Sequence, residues 1–100
     1  MARYDHDGLL ELAGSMLGAT PDPSGQADMV FEKGSLVVIA EPDGMKDGFK
    51  RVKKIDGYRW VLINTEDLFA ANTKSIGSKA GIIGTDGKIL KNADIPRRKV

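Results

Sequence analysis

Residues 35–40 spell SLVVIA, and this run limits the possible folds more than any other stretch of the chain. From Leu36 to Ala40 no polar side chain interrupts it, and most of the residues are β-branched. A strand with one face in water alternates apolar and polar residues. A strand that does not alternate needs cover on both faces or a central place in its sheet. The chain must therefore build layers around this segment, and its 100 residues are enough for a single domain that does so.

The flanking sequence supplies candidate layers. Leu9, Leu12, Ala13, Met16 and Leu17 fall at i, i+3, i+4, i+7 and i+8, one apolar stripe, so residues 8–17 are predicted to form an amphipathic helix. Asp7 is placed to cap its start, Gly18 suits a left-handed end, and Pro21 forbids continuation. Residues 18–28 (GATPDPSGQAD) read as a flexible loop, and residues 41–48 carry two Asp/Gly turn signals.

Residues 49–63 (FKRVKKIDGYRWVLI) read as a β-hairpin. Two β-rich runs flank Asp56-Gly57, a strong signal for a tight type I′ turn. That turn sets Ile55 against Tyr58, Lys54 against Arg59, Lys53 against Trp60 and Val52 against Val61. Both faces of the hairpin then mix apolar and cationic groups, which calls for a bulge near Arg51 and Val52. Asn64 is expected to cap a short second helix over residues 65–71. Residues 72–80 read as a loop, and residues 81–84 and 88–90 as a smaller hairpin around Thr85-Asp86-Gly87. Residues 91–100 read as a basic tail. The sum is an α+β domain of about five strands, mostly antiparallel because the connections look too short for parallel crossovers. An SH3-like or OB-like partly open barrel fits the same pattern.

Charge gives the first indication of function. Residues 1–45 carry two Lys/Arg against eight Asp/Glu, and residues 46–100 carry thirteen against six. A net −6 and a net +7 therefore hide behind a total of +1. The cations peak in the predicted hairpin, which points to an acidic partner, nucleic acid in particular. The expected binding face is Lys50, Arg51, Lys53, Lys54, Tyr58, Arg59 and Trp60, extended by Arg97, Arg98 and Lys99 in the tail. Phosphates would supply affinity there and aromatic stacking a preference for single strands. The like-charge pair of Lys54 and Arg59 costs stability unless an anion sits over it. A second reading is a protein-interaction module, an inhibitor or adaptor, whose acidic surface (Asp5, Asp7, Glu11, Asp22, Asp28) docks a basic partner or pairs head-to-tail with the basic half of another copy. Size and charge split together suit an accessory protein of phage or mobile-element type.

Several chemistries are poorly served. The chain has no cysteine, which removes disulfides, thiolate catalysis and cysteine–zinc sites and fits the cytosol. His6 is the only histidine; with Asp5 and Asp7 it offers adjacent ligands that rarely converge on one metal, so no metal is expected. The segment from Gly81 to Lys88 has five residues between its outer glycines and Ile89 after the lysine, so it fails the phosphate-loop pattern. No apolar run approaches the ~20 residues of a membrane span. The expectation is a binding protein without cofactor, not an enzyme.

One family resemblance bears on that expectation. Residues 10–16 (LELAGSM), residues 33–39 (KGSLVVI), residues 49–54 (FKRVKK) and residues 60–64 (WVLIN) resemble segments of LexA/CI-type repressor peptidase domains. The resemblance implies a hydrolase with Ser15 as nucleophile and Lys50 as its base.

Overall fold

The computed structural model describes residues 3–94. Helix α1 (His6–Leu17) leads into a six-stranded sheet made of β1 (Thr20–Pro21), β2 (Met29–Phe31), β3 (Gly34–Ile39), β4 (Arg59–Ile63), β5 (Gly81–Ile83) and β6 (Ile89–Lys91). The spatial order is the sequence order. Helix α2 (Met45–Val52) links β3 to β4, and helix α3 (Leu68–Ser75) links β4 to β5. Strands β3, β4 and β5 run parallel, while β1–β2–β3 and β5–β6 pair antiparallel.

The α+β class and the N-terminal helix stand as the sequence indicated. The short helix expected over residues 65–71 lies later, as a 3-10 turn at Thr65–Asp67 followed by α3, which runs to Ser75 into the expected loop, and Asn64 does not cap it with its side chain. The sheet differs from expectation. It is mixed, with a parallel centre, and it is an open sheet, not an SH3-like or OB-like barrel. The physical reason lies in residues 45–52. Met45, Phe49 and Val52 fall at i, i+4 and i+7, all three are buried, and Ile55 extends the stripe. Lys46, Asp47, Lys50 and Arg51 take the outer face. Helical spacing cleans up the mixture of apolar and cationic groups that a hairpin register produces, so the segment is helical. Asp56-Gly57 still turns the chain, with Gly57 at φ +85°, but between a helix and a strand. None of the cross-strand pairs of the expected hairpin exists. Instead β4 lies beside β3, with Leu36 opposite Trp60 and Ile39 opposite Ile63.

Alternation explains the uninterrupted apolar run. Val37, Ile39, Val61, Ile63 and Ile82 point to one face, where Met45, Phe49 and Val52 of α2 and Ala71 of α3 pack. Leu36, Val38, Trp60, Leu62 and Ile83 point to the other, where Leu9 and Ala13 of α1 are completely buried. The molecule thus has three layers, with α1 alone on one side and α2 and α3 on the other. At ~25 cal/mol per Å² of apolar surface, such burial on two faces is the main stabilising term. Helix α2 sits close to the sheet because Gly48 faces Ile39; a Cβ there would overlap the isoleucine side chain.

Local capping differs in detail from expectation. Asp5, not Asp7, caps α1: its carboxylate accepts from the Gly8 N–H at 2.7 Å, because the helix starts at His6 and Asp7 already lies in its first turn. Gly18 ends the helix at φ +65° as anticipated. The loop over residues 18–28 contains β1 and is organised by Asp22, whose carboxylate accepts from the N–H groups of Ala27 and Ser24 and from the Ser24 hydroxyl. These bonds, that to Ala27 first, hold the Asp22 carboxyl below the usual aspartate value.

Candidate functional site

The parallel centre gives the sheet two chemically different ends. At the carboxyl ends of β3, β4 and β5 the chain presents Glu41, Asp43, Glu66, Asp67 and Asp86, against Arg3 and Lys88. At the amino ends, and in the turns beside them, it presents Lys33, Lys53, Lys54, Arg59, Lys74 and Lys79, against Glu32, Asp56 and Asp94. The helices contribute to this polarity. Asp47 lies in the first turn of α2, and Lys50 and Arg51 in its last; Lys74 lies in the last turn of α3. These signs face the helix ends that favour them, whereas Lys46, also in the first turn of α2, does not. The charge split along the chain becomes, around the parallel strands, a split in space.

Open α/β sheets take ligands in the crevice at the carboxyl ends of their strands. Here residues 3 and 4 cover part of that crevice, over the ends of β3 and β4, while a cavity of about 380 Å³ stays open between the end of β3 and α2, lined by Ile39, Glu41, Asp47 and Arg51 among others. Asn64, 1% exposed at the end of β4, accepts from the Tyr4 N–H at 2.8 Å and donates to the Tyr4 and Ala40 carbonyls at 2.9 and 3.0 Å. Arg3 grips Asp67 through both terminal nitrogens, at 3.0 and 2.8 Å, and donates to Ala40 as well. Glu41 and Glu66 stand 3.7 and 3.6 Å from the same guanidinium. The hydrogen bond to Asp67 is the main reason the Arg3 proton is held more tightly than usual. This cluster ties residues 3 and 4 across two strand ends, a structural use of buried polar groups.

The opposite end holds the candidate site. Lys53, Arg59, Gly77, Ser78 and Lys79 line one cavity of about 400 Å³. Lys53 ends α2, Arg59 opens β4, and Lys79 precedes β5, so three separate elements deliver three cations. The Arg59 guanidinium donates through Nη1 to the Lys53 carbonyl at 3.2 Å, while its Nε–H is buried without a partner. Lys79 is held at φ +61°, a conformation that side chains other than glycine rarely adopt. The neighbouring loop is pinned: the Ser78 hydroxyl donates to Ser75 O at 2.6 Å and accepts from the Ala80 N–H at 3.1 Å. Lys91 Nζ donates to the Ser75 hydroxyl at 2.7 Å.

The residues expected to form one face are distributed as follows. Lys53, Lys54, Tyr58 and Arg59 gather at the amino end, with Tyr58 46% exposed. Lys50 is exposed on α2, away from any hairpin partner. Arg51 pairs with Asp28 at 2.7 Å and also donates to the Gln26 carbonyl, so it ties a loop down. Trp60 is no stacking platform. It is 6% exposed, packs edge-on against Phe31, and donates its Nε1–H to the Lys33 carbonyl at 3.1 Å. It is buried because β4 is a central strand covered on both faces, not one arm of a surface hairpin. Arg97, Arg98 and Lys99 lie outside the described residues. Sequence reasoning missed Lys79, Gly77 and Ser78, whose place beside Arg59 depends on the parallel pairing of β4 with β5.

Ser15 and Lys50 cannot form a dyad. Ser15 is on α1 and Lys50 on α2, and these helices cover opposite faces of the sheet. Among the described residues, no group of His, Asp or Glu is placed to hold a metal ion, and no helix is long and apolar enough to cross a membrane. Comparison with protein-family models, with curated proteins and with solved structures yields no match.

Proposed function

We propose that this protein is a binding module that docks nucleic acid on the amino-end pole of its sheet. The observation that carries the reading is the convergence of Lys53, Arg59 and Lys79 on one cavity. Lys54 and the exposed Tyr58 flank that cavity in sequence and extend the face. Lys and Arg neutralise phosphates and release condensed counterions, and an exposed tyrosine offers a surface on which a base stacks. The face comprises Lys53, Lys54, Tyr58, Arg59 and Lys79; Trp60 and Arg51 serve the fold.

The test is a titration of labelled single- and double-stranded oligonucleotides followed by anisotropy at several salt concentrations. Binding is expected to weaken linearly in log–log form as salt rises, and Lys53→Glu with Lys54→Glu to reduce it at least tenfold. Affinity that ignores both changes refutes the reading.

The polarity of the sheet also favours a second reading, head-to-tail self-association. Glu41, Asp43, Glu66 and Asp86 sit at the carboxyl ends and Lys53, Lys54, Lys74 and Lys79 at the amino ends, so the acidic pole of one copy complements the basic pole of the next. Sedimentation velocity separates the two: a mass that rises as salt is lowered, with no nucleic acid present, supports self-association.

A further inference from the structure

We propose that the cavity between Lys53, Arg59 and Lys79 seats a single phosphomonoester, the phosphorylated end of a nucleic acid strand. This rests on the nucleic-acid reading and deepens it. A strand's interior presents diesters, each with one negative charge, in a row. A row is best met by cations spaced along a groove. Here three cations from three elements surround one volume of about 400 Å³. A terminal phosphate carries close to two negative charges at pH 7 and three acceptor oxygens, and it fits a convergent set.

Two further observations point to an anion. Arg59 has spent one donor on the Lys53 carbonyl and keeps a buried Nε–H with no partner. A small shift of the guanidinium towards an oxyanion in the cavity supplies that partner. Lys79 occupies a left-handed position at φ +61°, where glycine would be unstrained. Strain retained at a cationic side chain that lines a cavity marks a functional candidate. The serine bonds that hold residues 75–80 fix this wall in advance, which lowers the ordering cost of binding. Asp56 lies in the turn that precedes Tyr58, and the Asp94 N–H donates to the Lys79 carbonyl; neither residue lines the cavity.

The experiment compares one oligonucleotide sequence with a 5′-phosphate, with a 3′-phosphate and with hydroxyl ends, alongside a nucleoside monophosphate. One phosphorylated end is expected to bind at least tenfold more tightly than the hydroxyl form at pH 7.5. That preference is expected to shrink as pH falls below about 6, where the monoester takes up its second proton. Lys79→Gly, which relieves the backbone, is expected to abolish the preference, as is Lys53→Gln, a change at an exposed position. Equal affinity for phosphorylated and hydroxyl ends overturns the phosphate seat and leaves the nucleic-acid reading standing. Binding of the monophosphate alone, lost in Lys79→Gly, keeps the seat and names a free phosphate ester as its source. No binding of any probe overturns both.

Discussion

Replacing Asn64 by alanine tests whether the carboxyl-end cluster stabilises the fold. Three hydrogen bonds depend on this one amide, two of them to Tyr4 and one to Ala40. A net hydrogen bond between protein groups is worth about 1 kcal/mol, and leaving a half-buried carbonyl unsatisfied costs about as much again. Tyr4 is 40% exposed, so water recovers part of its share. The expected loss is therefore about 2 kcal/mol, a large fraction of the ~5–15 kcal/mol typical of a domain. For a chain of this size that corresponds to a drop in Tm of roughly 10 °C. Urea denaturation followed by circular dichroism should show the midpoint falling with the slope unchanged, because the surface exposed on unfolding is the same. Hydrogen exchange at the Tyr4 N–H should rise towards the unprotected rate. A destabilisation under about 0.5 kcal/mol, the range of an inert surface change, would refute the assignment of Asn64 as the node that joins β3, β4 and the N-terminal segment.

Three other outcomes are expected. The Asp22 carboxyl has a lowered pKa in the fold, so its contribution is present above the ordinary aspartate value and lost as pH falls through the folded one; the acid limb of stability against pH should flatten in Asp22→Asn. Gly48→Ala should destabilise despite alanine's better helix propensity, by about 1–3 kcal/mol from overpacking against Ile39, read in the same denaturation assay. Trp60 fluorescence should be blue-shifted and resist quenching by acrylamide, and saturation with an oligonucleotide should leave its intensity nearly unchanged; strong quenching on binding would contradict its burial.

Much of the fold could be read along the chain where local and tertiary preferences agree. Residues 36–39 are apolar on both faces because both faces are covered, and the helix over His6–Leu17 has one clear stripe. The turn at Thr85–Gly87 joins two short antiparallel strands as its residues suggest. Residues 45–55 were misleading because Asp56-Gly57 and the β-rich run of β4 outweighed a three-residue helical stripe. The warning sign was chemical: a strand register left cations on both faces, whereas Met45, Phe49 and Val52 leave them on one. The site was half legible. Lys53 and Arg59 are six residues apart and bonded to each other. Lys79 is brought beside them by parallel pairing, which no local pattern encodes.

The solitary position of α1 has a consequence for how the chain is made. Leu9 and Ala13 bury themselves against Leu36, Trp60, Leu62 and Ile83, all of which leave the ribosome later. At ~5–20 residues per second, α1 waits several seconds for Ile83 to appear. A helix of this length is marginal alone in water, so it spends that interval largely unfolded. Strands β3 and β4 can meanwhile pair with α2 closed over one side, while their other side, Trp60 included, stays bare. Docking of α1 is then the closing event of synthesis, and any nascent chain in which it fails exposes an apolar sheet face to its neighbours.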